Sequence, residues 1–310
     1  MKLPGVIGAL AAMALLNSCG PAGAAAKTAG GRPTVLRYAF TSTAEEPEAA
    51  NHRQELTRRY LERELHMEVQ MVLTTAYGAV IEAFRSNKID AASISPFSYV
   101  LATQKVPIEA IVMRGSKSGE PGEYSGVLAV PGNSPIHSVD DLVKHAKDLT
   151  ISFVDPASTS GFLVENAFLQ SKGIEPQRDF KRVVFSLSHP ASLLTLKAGK
   201  VDVAATMQRL VTGYEQTGKL SRGDVRIIWV SPSIPNQPIA VRRDLPRDFK
   251  EQIRQAFIDM PKKDPEVWAN QSSSALPASS DQVYVAANDA MFDGLREMAR
   301  GVKNLSLLEH

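Results

Sequence analysis

The stretch Tyr77–Phe97, YGAVIEAFRSNKIDAASISPF, has a counterpart in His189–Arg209, HPASLLTLKAGKVDVAATMQR, and the two align without gaps at an offset of 112 residues. In both stretches a helical pattern leads through a turn into a short apolar strand pattern. Lys-Ile-Asp in the first falls on Lys-Val-Asp in the second. The repeat predicts two similar lobes in which Tyr77 and His189 begin equivalent helices.

The rest of the chain alternates in the same way from Val35 onward. VLRYAF and EVQMVLT have strand patterns, whereas HRQELTRRYLERELH, DFKEQIRQAFIDM and YVAANDAMFDGLREMA have helical ones. Such alternation is typical of α/β folds. We therefore predict a two-lobed α/β protein, each lobe a mixed and mainly parallel sheet flanked by helices, with a ligand cleft between the lobes.

Two extended stretches indicate where the chain crosses between the lobes. They are Tyr124–Val130 and Pro238–Arg242, each of which follows a loose, Gly- or Pro-containing segment. We expect them to form a hinge. The predicted first lobe then combines residues 33–125 with 240–310, and the predicted second lobe comprises residues 126–239.

The composition is that of an ordinary globular protein. Of 310 residues, 44% are hydrophobic and 22% are charged, and the formal net charge is +2. Lys and Arg are scattered along the chain instead of forming a basic patch. The sequence therefore gives no sign of nucleic-acid binding.

The first residues resemble an export signal. Lys2 precedes the apolar run VIGALAAMALL (6–16), which suits a signal peptide and is too short for a permanent membrane span. Leu16-Asn17-Ser18-Cys19 resembles a bacterial lipobox. We expect a signal peptide over 1–19, lipid attachment at Cys19, a flexible tether over 20–32, and location in the periplasm or at the outer face of the cell membrane.

Cys19 is the only cysteine in the sequence. Its use as a lipid anchor would leave the folded part without a thiol, which excludes thiolate catalysis, structural disulfides and Cys-ligated metals there. We expect neither a metal site nor a cofactor.

The most informative local motif is DPASTSGF (155–162), which lies between the strand pattern LTISFV and the helical pattern FLVENAFLQ. The first N–H groups of a helix have no partner within it, and they favour an anion. One hydroxyl suffices as an N-cap. Three in a row, followed by Gly161, which leaves room for close approach, predict a site for a small tetrahedral oxyanion. A turn with a simple cap and no ligand is the open alternative.

Catalysis is not expected. The chain has no Gly-x-Ser-x-Gly motif, and its histidines have no His-Glu-x-x-His spacing. A hydrolase acting through Ser158 or Ser160 is the alternative that turnover measurements would detect.

The chain resembles the phosphonate/phosphite-type (PhnD-like) substrate-binding proteins of bacterial ABC importers, which have a type II periplasmic-binding fold. The resemblance rests on YGAVIEAFRSNKIDAASISPFSYV, YSGVLAVPGNSPIHSVDDL, ISFVDPASTSGFL and the blocks that follow them. It implies a monomer that delivers its ligand to a membrane permease. The ligand-binding residues that it implies are Ser158, Thr159, Ser160, His189, Tyr77, Tyr99, Tyr124 and Gln208.

The stretch after the second-lobe VDVAA strand departs from many aminophosphonate binders. Residues 205–209, ATMQR, contain no carboxylate to pair with a ligand amino group. This favours phosphite, methylphosphonate or a related oxyanion over aminoethylphosphonate, with Gln208 or Arg209 as possible contacts. Similar proteins also serve as sensors that signal a bound oxyanion to a membrane histidine kinase. That alternative stays open, although arsenite sensing is disfavoured because it would use a thiol.

Overall fold

The computed structural model describes residues 31–41, 47–74, 76–271 and 282–305. Within them the chain forms a six-stranded sheet and a five-stranded sheet, each flanked by helices. We call these layers the first lobe and the second lobe. The expected signal peptide, tether and lipidation at Cys19 lie outside the described residues and stay predictions.

The first lobe contains strands and helices from both ends of the described chain. Its strands are β1 (Val35–Thr41), β2 (Glu68–Thr74), β3 (Ala91–Ser93), β4 (Ile108–Ser116), β12 (Pro238–Arg242) and β13 (Gln282–Ala286). Their order in the sheet is β13-β4-β12-β3-β1-β2. Its helices are α1 (Pro47–Leu65), α2 (Tyr77–Arg85), α3 (Pro96–Lys105), α9 (Arg247–Lys263), α10 (Pro265–Ala269) and α11 (Asp293–Gly301).

The second lobe is built from the middle of the chain. Its strands are β6 (Gly126–Pro131), β7 (Thr150–Phe153), β8 (Arg182–Phe185), β9 (Val203–Met207) and β10 (Val225–Val230), in the order β10-β6-β9-β7-β8. Its helices are α4 (Val139–His145), α5 (Val164–Ser171), α6 (Pro176–Asp179), α7 (His189–Lys197) and α8 (Gln208–Gln216).

Both sheets are mixed, which confirms the predicted class, but the expectation of mainly parallel pairing is wrong. In the first lobe β1 pairs in parallel with β2 and β3, while β12 and β13 pair antiparallel with their neighbours. In the second lobe β7 pairs in parallel with β8 and β9, while β6 and β10 pair antiparallel. The antiparallel strands β6 and β12 are those that follow the crossings between lobes.

The predicted repeat is confirmed. Helices α2 and α7 begin at Tyr77 and His189, and each unit turns through a residue with positive φ before its strand. The two aspartates of the repeat then make the same contact. Asp90 accepts a hydrogen bond from the backbone N–H of Arg37 at 3.0 Å, and Asp202 accepts one from Thr150 at 2.8 Å. Each carboxylate thus ties its turn to the neighbouring parallel strand, β1 or β7.

The crossing between lobes is a short antiparallel pair, β5 (Glu123–Tyr124) with β11 (Ile234–Pro235). The predicted crossing strands 124–130 and 238–242 begin beside this pair and then run into the sheets as β6 and β12. A hydrogen bond from the N–H of Gly126 to the Ser231 hydroxyl, at 2.9 Å, joins the two crossing segments.

The C-terminal segment corrects one helix prediction. YVAANDAMFDGLREMA was expected to be helical throughout, but its first residues belong to β13, an edge strand that pairs with β4. Tyr284 and Val285 have strand-forming side chains that are buried there. The helix proper, α11, begins at Asp293 and packs against α3 of the first lobe and α5 of the second.

Candidate functional site

A cavity of about 130 Å³ lies between the lobes. Both lobes supply polar side chains to it. From the first lobe and the crossing segments come Tyr38, Arg53, Gln54, Thr57, Tyr77, Ser93, Ser95, Arg114, Tyr124, Asn236, Gln237, Gln271 and Tyr284; from the second lobe come Ser158, Thr159, Ser160, His189 and Arg209. The hydroxyl cluster, Ser158 to Ser160, thus faces the cleft between the lobes.

The hydroxyl cluster begins a wide helical turn at the end of β7. Residues 159–163 form a π-helix that continues into α5, and the first backbone bond back into it runs from the Leu163 N–H to the Ser158 carbonyl at 3.1 Å. The N–H groups before Leu163 therefore have no acceptor within the helix. Each of the three hydroxyl residues is only 1% exposed. The turn brings these hydroxyl residues and the unbonded N–H groups close together.

Asp155 and Gly161 shape this turn. The Asp155 carboxylate accepts a hydrogen bond from the Ala157 N–H at 2.7 Å, which stabilises the turn. Gly161 also has a packing role that the sequence did not indicate. A Cβ at this position would lie 2.4 Å from a methyl group of Val154 and 2.9 Å from Ser158 Oγ, so packing against the end of β7 already requires the glycine.

The three hydroxyls differ in their bonding. Thr159 Oγ1 accepts a hydrogen bond from the Phe97 N–H of the first lobe at 2.8 Å. Among the described residues, Ser158 Oγ and Ser160 Oγ are buried and form no hydrogen bond of ordinary geometry, although the Tyr124 hydroxyl lies close enough to Ser160 for this contact to act on the Tyr124 pKa. Since buried polar groups are almost always satisfied, these two hydroxyls are suited to a bound acceptor. Thr159 links the two lobes through its oxygen, and its hydroxyl can still donate into the cavity that it lines.

Further contacts join the start of α3 to the hydroxyl turn. The Ser98 and Ser95 hydroxyls donate to the Ala157 carbonyl at 2.8 and 3.3 Å. The Asp155 carboxylate also accepts a hydrogen bond from the Tyr77 backbone N–H. These bonds cross from one lobe to the other, so the structure has the lobes closed over the cavity.

His189 opens α7, as predicted, and lies at the cavity with only 2% exposure. Its Nδ1 is 3.2 Å from Thr206 Oγ1. Burial, reinforced by the positive charge of Arg209, lowers the pKa of His189 to about 3. The imidazole is therefore neutral at ordinary pH and contributes a polar contact without a charge.

Glu165 lies directly behind the hydroxyl cluster, in the first turn of α5. Its carboxyl is fully buried, and neither oxygen has a hydrogen-bond partner among the described residues. Burial raises the pKa of Glu165 well above its ordinary value. A Cβ on Gly126, at the start of β6, would lie 2.0 Å from one of these oxygens, so the glycine makes room for the acid.

Two of the predicted tyrosines line the cavity and one does not. Tyr77 and Tyr124 are lining residues, and burial raises the pKa of the Tyr124 hydroxyl. Tyr99 is a correction: it is fully buried in the first lobe, and its hydroxyl donates to Asp289 at 2.6 Å and accepts from the Ala110 N–H at 3.1 Å. Its hydroxyl is thus used within the lobe.

Gln208 is a second correction. It is exposed at the start of α8 and is not a lining residue, whereas its neighbour Arg209 is. The Arg209 guanidinium lies 4.8 Å from the centre of the Tyr124 ring. Helix geometry explains the difference, because successive residues on a helix point in different directions.

Sequence reasoning missed two arginines of the cavity, Arg53 on α1 and Arg114 near the end of β4. We call Arg53, Arg114 and Arg209 the arginine row. For Arg114 a signal existed, since an arginine directly after the buried run Ile111–Met113 stands near the end of a strand. For Arg53 no comparable signal existed, because α1 is rich in charged residues throughout.

Comparison with known proteins agrees with this arrangement. The model of the family described as "ABC transporter, phosphonate, periplasmic substrate-binding protein" matches residues 38–290, most of the chain. The chain belongs to this family. Its resemblance to the phosphonate-binding proteins, predicted from the sequence motifs, is thereby confirmed.

Relatives and solved structures extend the comparison. The phosphonates-binding periplasmic protein of Escherichia coli (strain K12) is 31% identical over 199 residues, which cover 64% of this chain and 58% of that relative. The phosphate-import protein PhnD of Mycolicibacterium smegmatis is 26% identical over 252 residues, 77% of each chain. The crystal structure of a binding protein component of an ABC phosphonate transporter from Pseudomonas aeruginosa has a TM-score of 0.75 at 24% identity, and covers 88% of this chain and 87% of that one. The last comparison shows the shared fold.

The family comprises periplasmic substrate-binding components of transporters. In the part of the chain that the structure describes, no helix combines the length and apolar character needed to cross a membrane.

Proposed function

We propose that this protein binds a small tetrahedral oxyanion, a phosphonate or a related species, in the interlobe cavity and presents it to an ABC permease. The observation that carries the proposal is the pair of buried hydroxyls, Ser158 and Ser160, that face the cavity without a protein partner. The names of two relatives support it, since one binds phosphonates and another imports phosphate.

Binding replaces the hydration shell of the anion with fixed donors. The hydroxyls of Ser158 and Ser160 donate to anion oxygens, and the unbonded N–H groups of the same turn point the positive end of its peptide dipoles at the site. His189 adds a neutral contact from the neighbouring helix end. Because hydrogen bonds to an ionised group are stronger than neutral ones, this arrangement favours the anion over water.

Closure couples the ligand to the shape of the protein. The bonds from Phe97 to Thr159 and from Ser98 to Ala157 exist only when the two lobes meet. A ligand that contacts both lobes binds the closed form better than the open form and shifts the equilibrium toward closure. The permease then recognises the closed, loaded protein.

The cavity disfavours a ligand with a free amino group. Among the described residues that line it there is no Asp or Glu, and three are Arg. An ammonium group would enter without a counter-charge, and burying an unpaired cation is costly. The chemistry of the site thus agrees with the departure seen in residues 205–209 of the sequence.

We also propose that the protein acts without catalysis. His189, the histidine that lines the cavity, has its Nδ1 3.2 Å from Thr206 Oγ1, and burial lowers its pKa to about 3, which makes it a weak base. A serine nucleophile needs a base within hydrogen-bond reach, and the described contacts of His189 do not provide one. A monomer held at the membrane by lipid on Cys19 is the arrangement that we expect.

Isothermal titration calorimetry tests the proposal. The purified protein is titrated with phosphite, methylphosphonate, phosphate, arsenate, arsenite and 2-aminoethylphosphonate at one pH and ionic strength. We expect binding of at least one phosphorus oxyanion and weaker binding of the amino-bearing ligand. A folded protein that binds none of the six would contradict the proposed ligand class.

A further inference from the structure

The two lobes contribute donors to the cavity in different ways. The second lobe supplies the hydroxyl cluster and the unbonded N–H groups of its turn. In the first lobe, α1 supplies three consecutive or nearly consecutive lining residues, Arg53, Gln54 and Thr57. Residues three and four apart on a helix are neighbours on its surface, so these side chains share one side of α1. A ligand in the cavity therefore meets this side of α1 as well as the hydroxyl cluster.

Gln54 carries a buried donor without a partner. Its Nε2 is buried and forms no hydrogen bond with the residues that the structure describes. A side-chain amide nitrogen has two N–H donors, and both are left for water or a ligand. Since buried polar groups are almost always satisfied, this amide indicates a position for an acceptor inside the closed cavity.

The polar neighbours of Gln54 have partners. Thr57 Oγ1 donates to a main-chain carbonyl of α1 at 2.8 Å and accepts a hydrogen bond from Gln271 Nε2 at 2.9 Å. Asn236 Nδ2 donates to the Arg114 carbonyl at 3.3 Å. These side chains hold the wall of the cavity together, whereas the Gln54 amide is available to the contents of the cavity.

The wall formed by α1 and β4 is held in place. The guanidinium groups of Arg53 and Arg114 both donate to the main-chain carbonyl of Gln271. They also lie over aromatic rings, the first 3.9 Å from the centre of the Phe40 ring and the second 5.3 Å from that of Trp268. Such contacts stabilise the positions of the arginine side chains. The unpartnered amide thus projects from a fixed surface.

The cavity is small enough for one ligand to contact both lobes. Its volume is about 130 Å³, below the roughly 150 Å³ of a cavity that accommodates benzene. A tetrahedral group on the hydroxyl cluster therefore leaves room for a short substituent. That substituent is the part of the ligand that meets Gln54 of the first lobe.

We propose that Gln54 is a specificity-determining residue whose amide donates a hydrogen bond to an oxygen on the substituent of a small phosphonate. The preferred ligands are then phosphonates that bear a hydroxyl oxygen, such as hydroxymethylphosphonate, over simple alkyl phosphonates. This inference rests on the proposed function and specifies its substrate class. Closure buries the amide, so a ligand that offers no acceptor leaves a buried donor unsatisfied, which costs more than an ordinary hydrogen bond contributes. A site built to bind a hydroxyl rejects the analogue that lacks it for this reason.

Calorimetry with hydroxymethylphosphonate and ethylphosphonate tests the inference, at one ionic strength and at a pH where both probes are monoanions. The probes have the same number of heavy atoms and differ by a hydroxyl in place of a methyl group. We expect the parent protein to bind hydroxymethylphosphonate at least about fivefold more tightly. Equal affinities, or tighter binding of ethylphosphonate, would overturn the inference while leaving the proposed function intact. Binding of neither probe by the folded protein would count against both.

The variant Gln54→Met separates recognition of the hydroxyl from a structural role, because Met keeps an unbranched side chain and removes the donor. The variant should lose about fivefold or more in affinity for hydroxymethylphosphonate and less than about twofold for ethylphosphonate. Thermal unfolding without ligand verifies that it is folded. The matched control is Gln70→Met, at an exposed position of β2 in the same lobe, which should leave both affinities unchanged.

Two results with the variant would refute the inference. If Gln54→Met weakens both probes equally, Gln54 supports the closed structure and does not recognise the substituent. If the variant keeps the preference of the parent, another group of the cavity recognises the hydroxyl.

Discussion

The two sides of the cavity use different chemistry. Around the hydroxyl cluster burial disfavours charge, because it lowers the pKa of His189 to about 3 and raises the pKa of Glu165 well above its ordinary value. In the arginine row the groups are cations held by rings and a carbonyl. The first side is built from consecutive residues and the second from three distant segments. One local sequence motif is thus enough to position hydrogen-bond donors, whereas the positive charges of the arginine row come together only in the tertiary fold.

The largest expected effect is a loss of ligand affinity when the hydroxyl cluster is removed. Changing Ser158, Thr159 and Ser160 together to Ala should weaken oxyanion binding by at least about a thousandfold, since each hydrogen bond to a charged group contributes roughly 1.5–3 kcal/mol. Calorimetry measures the loss. The ligand-free variant should melt within a few degrees of the parent, because the main side-chain hydrogen bond that it loses is the one from Phe97 to Thr159, and one hydrogen bond contributes about 0.5–1.5 kcal/mol.

Ser171→Ala, at an exposed position of α5, is the control and should bind normally. A triple variant that fails to fold would show instead that the hydroxyl cluster has a structural role, which would contradict its assignment to ligand binding.

The next largest expected effect is on the pH dependence of stability and comes from the raised pKa of Glu165. Its folded-state pKa is raised above 4.5, so folding becomes less favourable as pH rises above 4.5, by up to about 1.4 kcal/mol per pH unit until the folded-state pKa is reached. Glu165→Gln removes this titration. The variant should therefore be more stable than the parent at pH 8, with the difference vanishing near pH 4, as urea unfolding will show.

Glu215→Gln, an exposed change on α8, is its control and should show no such divergence. If the stabilities of Glu165→Gln and the parent change in parallel from pH 4 to 8, the pKa of Glu165 is not raised in the folded protein. Burial would then not disfavour its charge behind the hydroxyl cluster.

The smallest expected effect is the contribution of His189 to the pH dependence of stability. Its direction is opposite to that of Glu165. The folded-state pKa of His189 is lowered from 6.5 to about 3, so the unfolded chain takes up the proton first and stability is lost as pH falls below 6.5. At pH 4.5 the loss amounts to at most about 3 kcal/mol. His189→Gln should resist acid better than the parent in urea unfolding at pH 4.5, relative to pH 7.5.

The exposed His145 provides the matched control through His145→Gln, which should behave like the parent. Equal acid sensitivity of His189→Gln and the parent would mean that His189 carries its proton when folded, and that both sides of the cavity are cationic.

Local patterns predicted most of the fold. The repeat of residues 77–97 and 189–209 depends on periodicity and turn residues, which are short-range properties, and the structure reproduces it down to the contacts of Asp90 and Asp202. The motif around Ser158 was found for the same reason. Pairing direction was less accessible, because strands β6 and β12 pair with partners far along the chain.

The sequence did not predict the positions of side chains whose partners lie in distant segments of the chain. On α1, Arg58 and Arg59 pair with Glu55 at the surface, whereas Arg53 of the same helix lies over Phe40 at the cavity. Nothing in the sequence of α1 distinguishes the arginine at the cavity from the two at the surface. Tyr99 was misjudged for a related reason, since its hydroxyl partner Asp289 lies 190 positions later.

The contacts of α11 have a consequence for motion. This helix packs on both lobes, and just after it the Gln170 side chain of α5 binds the Lys303 main chain twice, at 2.9 and 3.2 Å. Rotation about the β5–β11 crossing separates α3 from α5, so α11 can accompany only one of them. Opening by such a rotation would break the contacts of this C-terminal segment with one of the lobes, so these contacts stabilise the closed form.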